Sequence, residues 1–225
     1  MSHLANFAVL LAVLAALTFV GMREHAAHKA SRRRLLSRCE GLLDASRLTI
    51  GSDGFPRLAG QSRGREVLVE LILDTMTIRR LPQLWLSVTL LDRAPRLPGL
   101  ALLVRPSGND YYSLTNIFSH PLAAPAGFPA EIIVRGESAD AAAVLACLAE
   151  SLRALFSDPR IKEVAITANG LRVIRQTGEG KRGEHLLLRQ AVFEDAEVSR
   201  EDLAAMLAPL HAMRALLHDR EACRV

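Results

Sequence analysis

Aromatic side chains are scarce: one Trp, two Tyr and seven Phe in 225 residues. That removes the stacking platforms expected of a single-strand nucleic-acid binder. Cysteine is equally sparse, and Cys39, Cys147 and Cys223 stand far apart with no C-x-x-C pair. The spacing gives neither a zinc site nor a disulfide framework, and it suits a reducing compartment. Cys147 falls on an apolar helical stripe and reads as a small core residue. Lysine is nearly absent, three against 25 Arg, a bias that by itself identifies no site. No G-x-x-x-x-G-K-[ST] loop occurs, so there is no P-loop.

Charge is missing altogether from residues 4–22, where only Asn6 and Thr18 are polar. As a helix this run spans about 28 Å, close to the roughly 30 Å hydrocarbon core of a bilayer. It has no polar face, unlike an ordinary core helix. No Lys or Arg precedes it, whereas Arg23, Lys29, Arg32, Arg33, Arg34 and Arg38 follow. That order fits a retained anchor rather than a removable signal, although Ala26-Ala27 could mimic a cleavage site. It also rules out a twin-arginine signal, whose arginines come before the apolar segment. The positive-inside rule places the amino terminus outside and the body in the cytoplasm, on a single-pass span of the inner membrane.

The basic excess is confined to the same region. Residues 1–40 carry six basic and two acidic side chains, and residues 41–225 carry 22 of each. The sequence pI of about 9.3 therefore reflects contact with anionic lipid headgroups rather than with nucleic acid. The six cations named above are the expected membrane-surface contacts.

The organisation read from the pattern is an anchor (1–22), a basic juxtamembrane helix (23–46) and a cytoplasmic α+β domain (47–225). Two lobes, 47–136 and 137–225, are an alternative division. Residues 56–61 and 65–74 form a hairpin across Ser62-Arg63-Gly64, and residues 84–91 alternate Leu84, Leu86, Val88 and Leu90 with Trp85, Ser87 and Thr89. Further strands are expected at 99–105, 131–135, 162–168, 171–177 and 185–193. Asn169-Gly170 predicts a type I′ turn. Helices are expected at 138–158 and 199–219, capped by Ser138 and Ser199. Their similar last turns, 153–158 and 214–219, raise the possibility of a duplicated unit. The fold class is α+β: a mainly antiparallel sheet with two amphipathic helices packed on it.

Each chemical motif has a simpler reading. Residues 178–183 match G-x-G-x-x-G, but an expected strand rather than a helix follows, so the glycines read as a hairpin loop. Asp110, Ser113 and His120 combine an acid, a hydroxyl and an imidazole without the strained elbow of a nucleophilic serine. His25 and His28 lack a third metal ligand. His211 and His218 line a helix flank with Ala204, Ala208 and Ala215, a surface that a partner or a second copy could use. Arg79-Arg80 could meet a phosphate or an acidic partner. Residues 107–129 are irregular and proline-rich, and there Tyr111, Tyr112 and Phe118 are the candidate partner-binding side chains.

No residue is assigned to catalysis, a cofactor or a metal. The expected function is a non-enzymatic accessory module that docks a membrane or peripheral protein. The rival is a tethered enzyme or ligand binder built from Asp74, Arg79, Asp110 and His120.

Overall fold

A computed structural model describes residues 2–75, 81–92, 97–183, 191–193 and 196–219. The apolar run and its basic flank form one helix, α1 (Ser2–Arg33), about 48 Å long at 1.5 Å per residue. It is long and apolar enough to cross a membrane, and its large side chains from Phe7 to Met22 all face outward.

The helix ends thirteen residues earlier than the pattern predicts. After Arg33 the chain turns through a short 3₁₀ segment (Ser37–Cys39) and a left-handed Gly41 (φ +80°) into β1 (Asp44–Ile50). Leu35, Leu36, Cys39 and Leu43 are buried in the main core instead of lying along headgroups. Burying a leucine is worth about 1.5–3 kcal/mol, more than continued helix offers here. α1 thus enters the body with only this turn between.

The remaining strands are β2 (Pro56–Ser62), β3 (Arg65–Asp74), β4 (Gln83–Leu91), β5 (Leu100–Val104), β6 (His120–Pro121), β7 (Ile132–Gly136), β8 (Ile161–Thr167) and β9 (Gly170–Glu179). They make a single sheet in the order β1-β2-β3-β4-β9-β8-β5-β7-β6, and every pairing is antiparallel. Strands from residues 47–136 and 137–225 interleave, because β4 pairs with β9 and β5 with β8. The expected strand at 185–193 is absent over residues 191–193, and its earlier part lies outside the described residues.

Helices α2 (Ala141–Leu155) and α3 (Arg200–His218) pack on one sheet face. Val144, Leu145, Leu148 and Leu152 of α2 and Leu203, Met206, Leu210, Met213 and Leu217 of α3 meet the inward residues of β4, β8 and β9. Ser199 caps α3 as expected, its Oγ accepting the Asp202 N–H at 3.0 Å. Ser138 does not cap α2; Asp140 holds that position without a side-chain bond.

Two turns show how glycine acts. Arg63 and Gly64 both take positive φ (50° and 72°), as a two-residue hairpin between β2 and β3 requires. The β8–β9 turn differs from its prediction. Thr167 pairs with Gly170, so Ala168 and Asn169 form the loop, and Asn169 does not have a positive φ. Gly170 is needed for another reason: at φ +139° it lies so near the Leu90 carbonyl that a Cβ would collide with it.

Candidate functional site

On the sheet face opposite the helices, the segment from Arg105 to Phe118 covers β4, β8 and β9 around Trp85, Lys162 and Arg172 and reaches β5 and β7 at Leu114–Asn116. An irregularity in β8 between Ile161 and Glu163 turns both Lys162 and Glu163 toward this segment. The Lys162 ammonium lies 3.0 Å from Asp110 Oδ1, donates to the Arg105 carbonyl at 2.6 Å and sits 5.7 Å over the Trp85 ring. Asp110 Oδ2 accepts the Ser107 N–H at 2.7 Å. Burial pushes the Asp110 carboxyl up, but the Ser107 N–H and the Lys162 charge outweigh it and leave it below the usual carboxylate range.

Beside this pair, Glu163 Oε1 accepts from Arg172 at 2.5 Å and from the Leu114 N–H at 3.3 Å. Arg172 also donates to the Tyr112 carbonyl at 3.0 Å. Among the described residues, Glu163 Oε2 and Arg172 Nε have no hydrogen-bond partner. Tyr112 is buried, donates to Asp110 Oδ1 at 3.3 Å and packs 6.1 Å from Trp85, ring to ring. Burial, then the Asp110 charge, pushes its hydroxyl far above the ordinary tyrosine value. Asp74 is buried and accepts the Trp85 indole N–H at 3.4 Å. These charges fasten the segment to the sheet.

The structure therefore separates the predicted residues. Tyr112, Asp74 and Asp110 are buried, Arg79 lies outside the described residues, and His120 is exposed on β6. Among the described residues, no hydrogen bond or ion pair joins His120 to Asp110 or Ser113; Ser113 instead bonds Thr115. Tyr111 is 56% exposed, with its hydroxyl donating to the Leu73 carbonyl at 2.9 Å. Phe118 is half-buried against Gly99, where a Cβ would collide with its ring. Ile117, 70% exposed, was not singled out by the pattern because one apolar residue in an irregular loop has no periodicity to mark it.

The basic flank divides as well. Arg23, Lys29, Arg33, Arg34 and Arg38 are exposed. Arg32 turns toward the body, donating to the Ala191 carbonyl at 2.8 Å and lying 5.5 Å over the Phe55 ring. Arg38 pairs with Glu197 at 3.0 Å. Clefts among the described residues flank the base of α1. One, about 580 Å³, is lined by His28, Lys29, Arg32, the Ser52–Gly54 turn, Leu73 and Val192, among others. Another, about 430 Å³, runs past Ser31, Arg34, Arg38 and Glu197. The His25 side chain and Arg79-Arg80 lie outside the described residues.

On the helix face, a groove of about 430 Å³ separates α2 from α3, with Leu155, Ile161, Met206 and Pro209 in its walls and Arg175 and Asp158 at one end. The supposed interface flank of α3 is partly occupied. His211 Nε2 meets Ser62 Oγ at 2.9 Å, and His218 meets the buried Asp92 at 2.6 Å, beside Arg214 at 2.6 Å. Within the G-x-G-x-x-G run, Gly178 and Glu179 are the last residues of β9, and a Cβ on Gly178 would crowd Ala196. Cys39 is free and buried. Cys147 is half-buried and disulfide-bonded, which overturns its reading as a simple core thiol.

Compared with protein-family models and with curated proteins, the chain matches none. Among solved structures it is similar to the crystal structure of the mycobacterial trehalose monomycolate transport factor A, TtfA. The two share 12% identity at a TM-score of 0.42, over 82% of this chain and 93% of that one. Nothing about function follows from a likeness at that level.

Proposed function

We propose that this protein is a membrane-anchored accessory module that docks a protein partner at the cytoplasmic membrane face. The observation that supports it is the continuity of α1 with the body. A helix whose apolar half is fully outward runs into buried Leu35 and Leu36 with only a turn between. The body is then held at a fixed distance from the bilayer, which raises its effective concentration near membrane partners. Arg23 and Lys29 stand nearest the anionic headgroups, with Arg33, Arg34 and Arg38 adding longer-range attraction, and Tyr111, Ile117 and Phe118 offer apolar surface to the partner. Tyr112 supports that surface from below.

The orientation, amino terminus outside and body inside, rests on the basic flank. The Cys147 disulfide runs the other way, since the cytoplasm keeps thiols reduced. A phosphatase fused after Val225 decides between them: silence supports the cytoplasmic body, and activity overturns it. A photo-crosslinker at Ile117, used in native membranes, tests docking. One partner adduct that disappears in Tyr111→Ser supports the reading, and no adduct overturns it.

The α2–α3 groove favours a second reading, a binder of a small apolar ligand. Its volume of about 430 Å³ falls within the usual range for such sites.

A further inference from the structure

The larger cleft at the base of α1 combines three features. Its rim carries cations: Lys29 is exposed, and the Arg32 guanidinium is oriented by the Ala191 carbonyl and the Phe55 ring. Its floor is apolar, made by Leu73, Ala191 and Val192. The acid on the rim, Asp53, is engaged, with Oδ1 accepting the Phe55 N–H at 3.0 Å and Oδ2 lying 3.8 Å from Arg57.

Position supplies the ligand. Lys29 lies seven residues past Met22, about 10 Å along the helix axis. A headgroup layer extends about 5–8 Å beyond the hydrocarbon, which leaves a gap of about 2–5 Å. The Lys29 stem can also reach back toward the interface. We infer that this cleft binds the headgroup phosphate of an anionic phospholipid from the adjoining leaflet, drawn outward by Lys29 and Arg32. This rests on the membrane-anchor reading and deepens it: one lipid is held as part of the protein's docked geometry, beyond the diffuse attraction of a basic flank. A free phosphate would use the same cations but lacks the acyl chains that hold a headgroup beside them.

The test is native mass spectrometry of the full-length protein released from detergent after exchange with phosphatidylglycerol or phosphatidylcholine. One retained phosphatidylglycerol per chain is expected, with retention falling about fivefold in Lys29→Gln, the effect of one interfacial cation. Arg32→Gln should lose more, and Arg47→Gln on β1 should retain lipid as the parent does. Equal retention of the two lipids, displacement by millimolar inorganic phosphate, or an equal loss in Arg33→Gln overturns the site. Alkaline-carbonate extraction separates this failure from that of the anchor. Protein that stays in the pellet but retains no lipid overturns only the cleft. Protein that is extracted overturns both.

Discussion

Arg175 Nη1 lies 2.8 Å from Asp202 Oδ1, tying the middle of the sheet to the first turn of α3. Its Nε reaches Asp158 at 2.9 Å, just beyond α2. One guanidinium on β9, with its side chain 7% exposed, therefore fixes both helices. The Arg175 hydrogen bond, opposed by burial and aided by Ser199, holds the Asp202 carboxyl below its ordinary range.

Removing that guanidinium leaves two carboxylates without their shared partner. Both are partly solvated, which reduces the cost below that of a fully buried pair, so Arg175→Ala should lower stability by about 2 kcal/mol. Urea unfolding of the full chain in detergent, read by the single Trp85, measures it. An unchanged midpoint would mean the clamp contributes nothing.

Stability should depend on acid through Asp92, Asp110 and Asp202, whose carboxyls all lie below the usual value when folded. At Asp92 burial pushes up, but the His218 and Arg214 contacts prevail. The unfolded chain, with aspartates near 3.9, binds more protons in this range, so stability rises with pH. The contribution is complete above about pH 5 and fades as pH falls through the folded values. The melting temperature should stay level from about pH 8 to 5 as far as these groups govern it, then drop. In Asp110→Asn it should start lower and drop less steeply. Parallel acid slopes in parent and variant would sink the assignment to Asp110.

Two glycines should respond differently to alanine. Gly64 has φ +72° with open space around it, so Gly64→Ala should cost about 1 kcal/mol, the strain of a left-handed alanine. Gly170→Ala also drives a methyl into the Leu90 carbonyl and should cost about 3 kcal/mol through the β4–β9 pairing. Equal costs would show that the close approach relaxes freely.

Cys39 is fully buried, and burial, with Asp202 nearby, raises its thiol to about 11. Iodoacetamide at pH 8 should leave it unmodified in the native protein and label it after denaturation, because the thiolate is the reactive form. Labelling of native Cys39, mapped by peptide mass spectrometry, would contradict the packing of the 35–43 segment.

By itself the sequence determined what nearest neighbours decide. Residues 4–22 specify an apolar helix because no charge interrupts them. Alternation specifies β3 and β4, and the 3.6-residue spacing of Leu203, Met206, Leu207 and Leu210 specifies α3, because these periods state which side faces water. The same reading extended the basic helix to residue 46, since it could not tell leucines facing lipid from leucines facing a core. Only the tertiary structure sent Leu35, Leu36 and Leu43 inward. It also chose Asp110 for Lys162 across 52 positions, set Arg175 between Asp158 and Asp202, and buried Tyr112 while leaving Tyr111 and Ile117 outside. Each choice depends on partners remote in the chain. A charge or an aromatic ring can pair with many such partners, and sheet order settles which one it meets. That is why the apolar helix was legible residue by residue, whereas the cleft beside it exists only because α1 folds against the turn at residues 51–55.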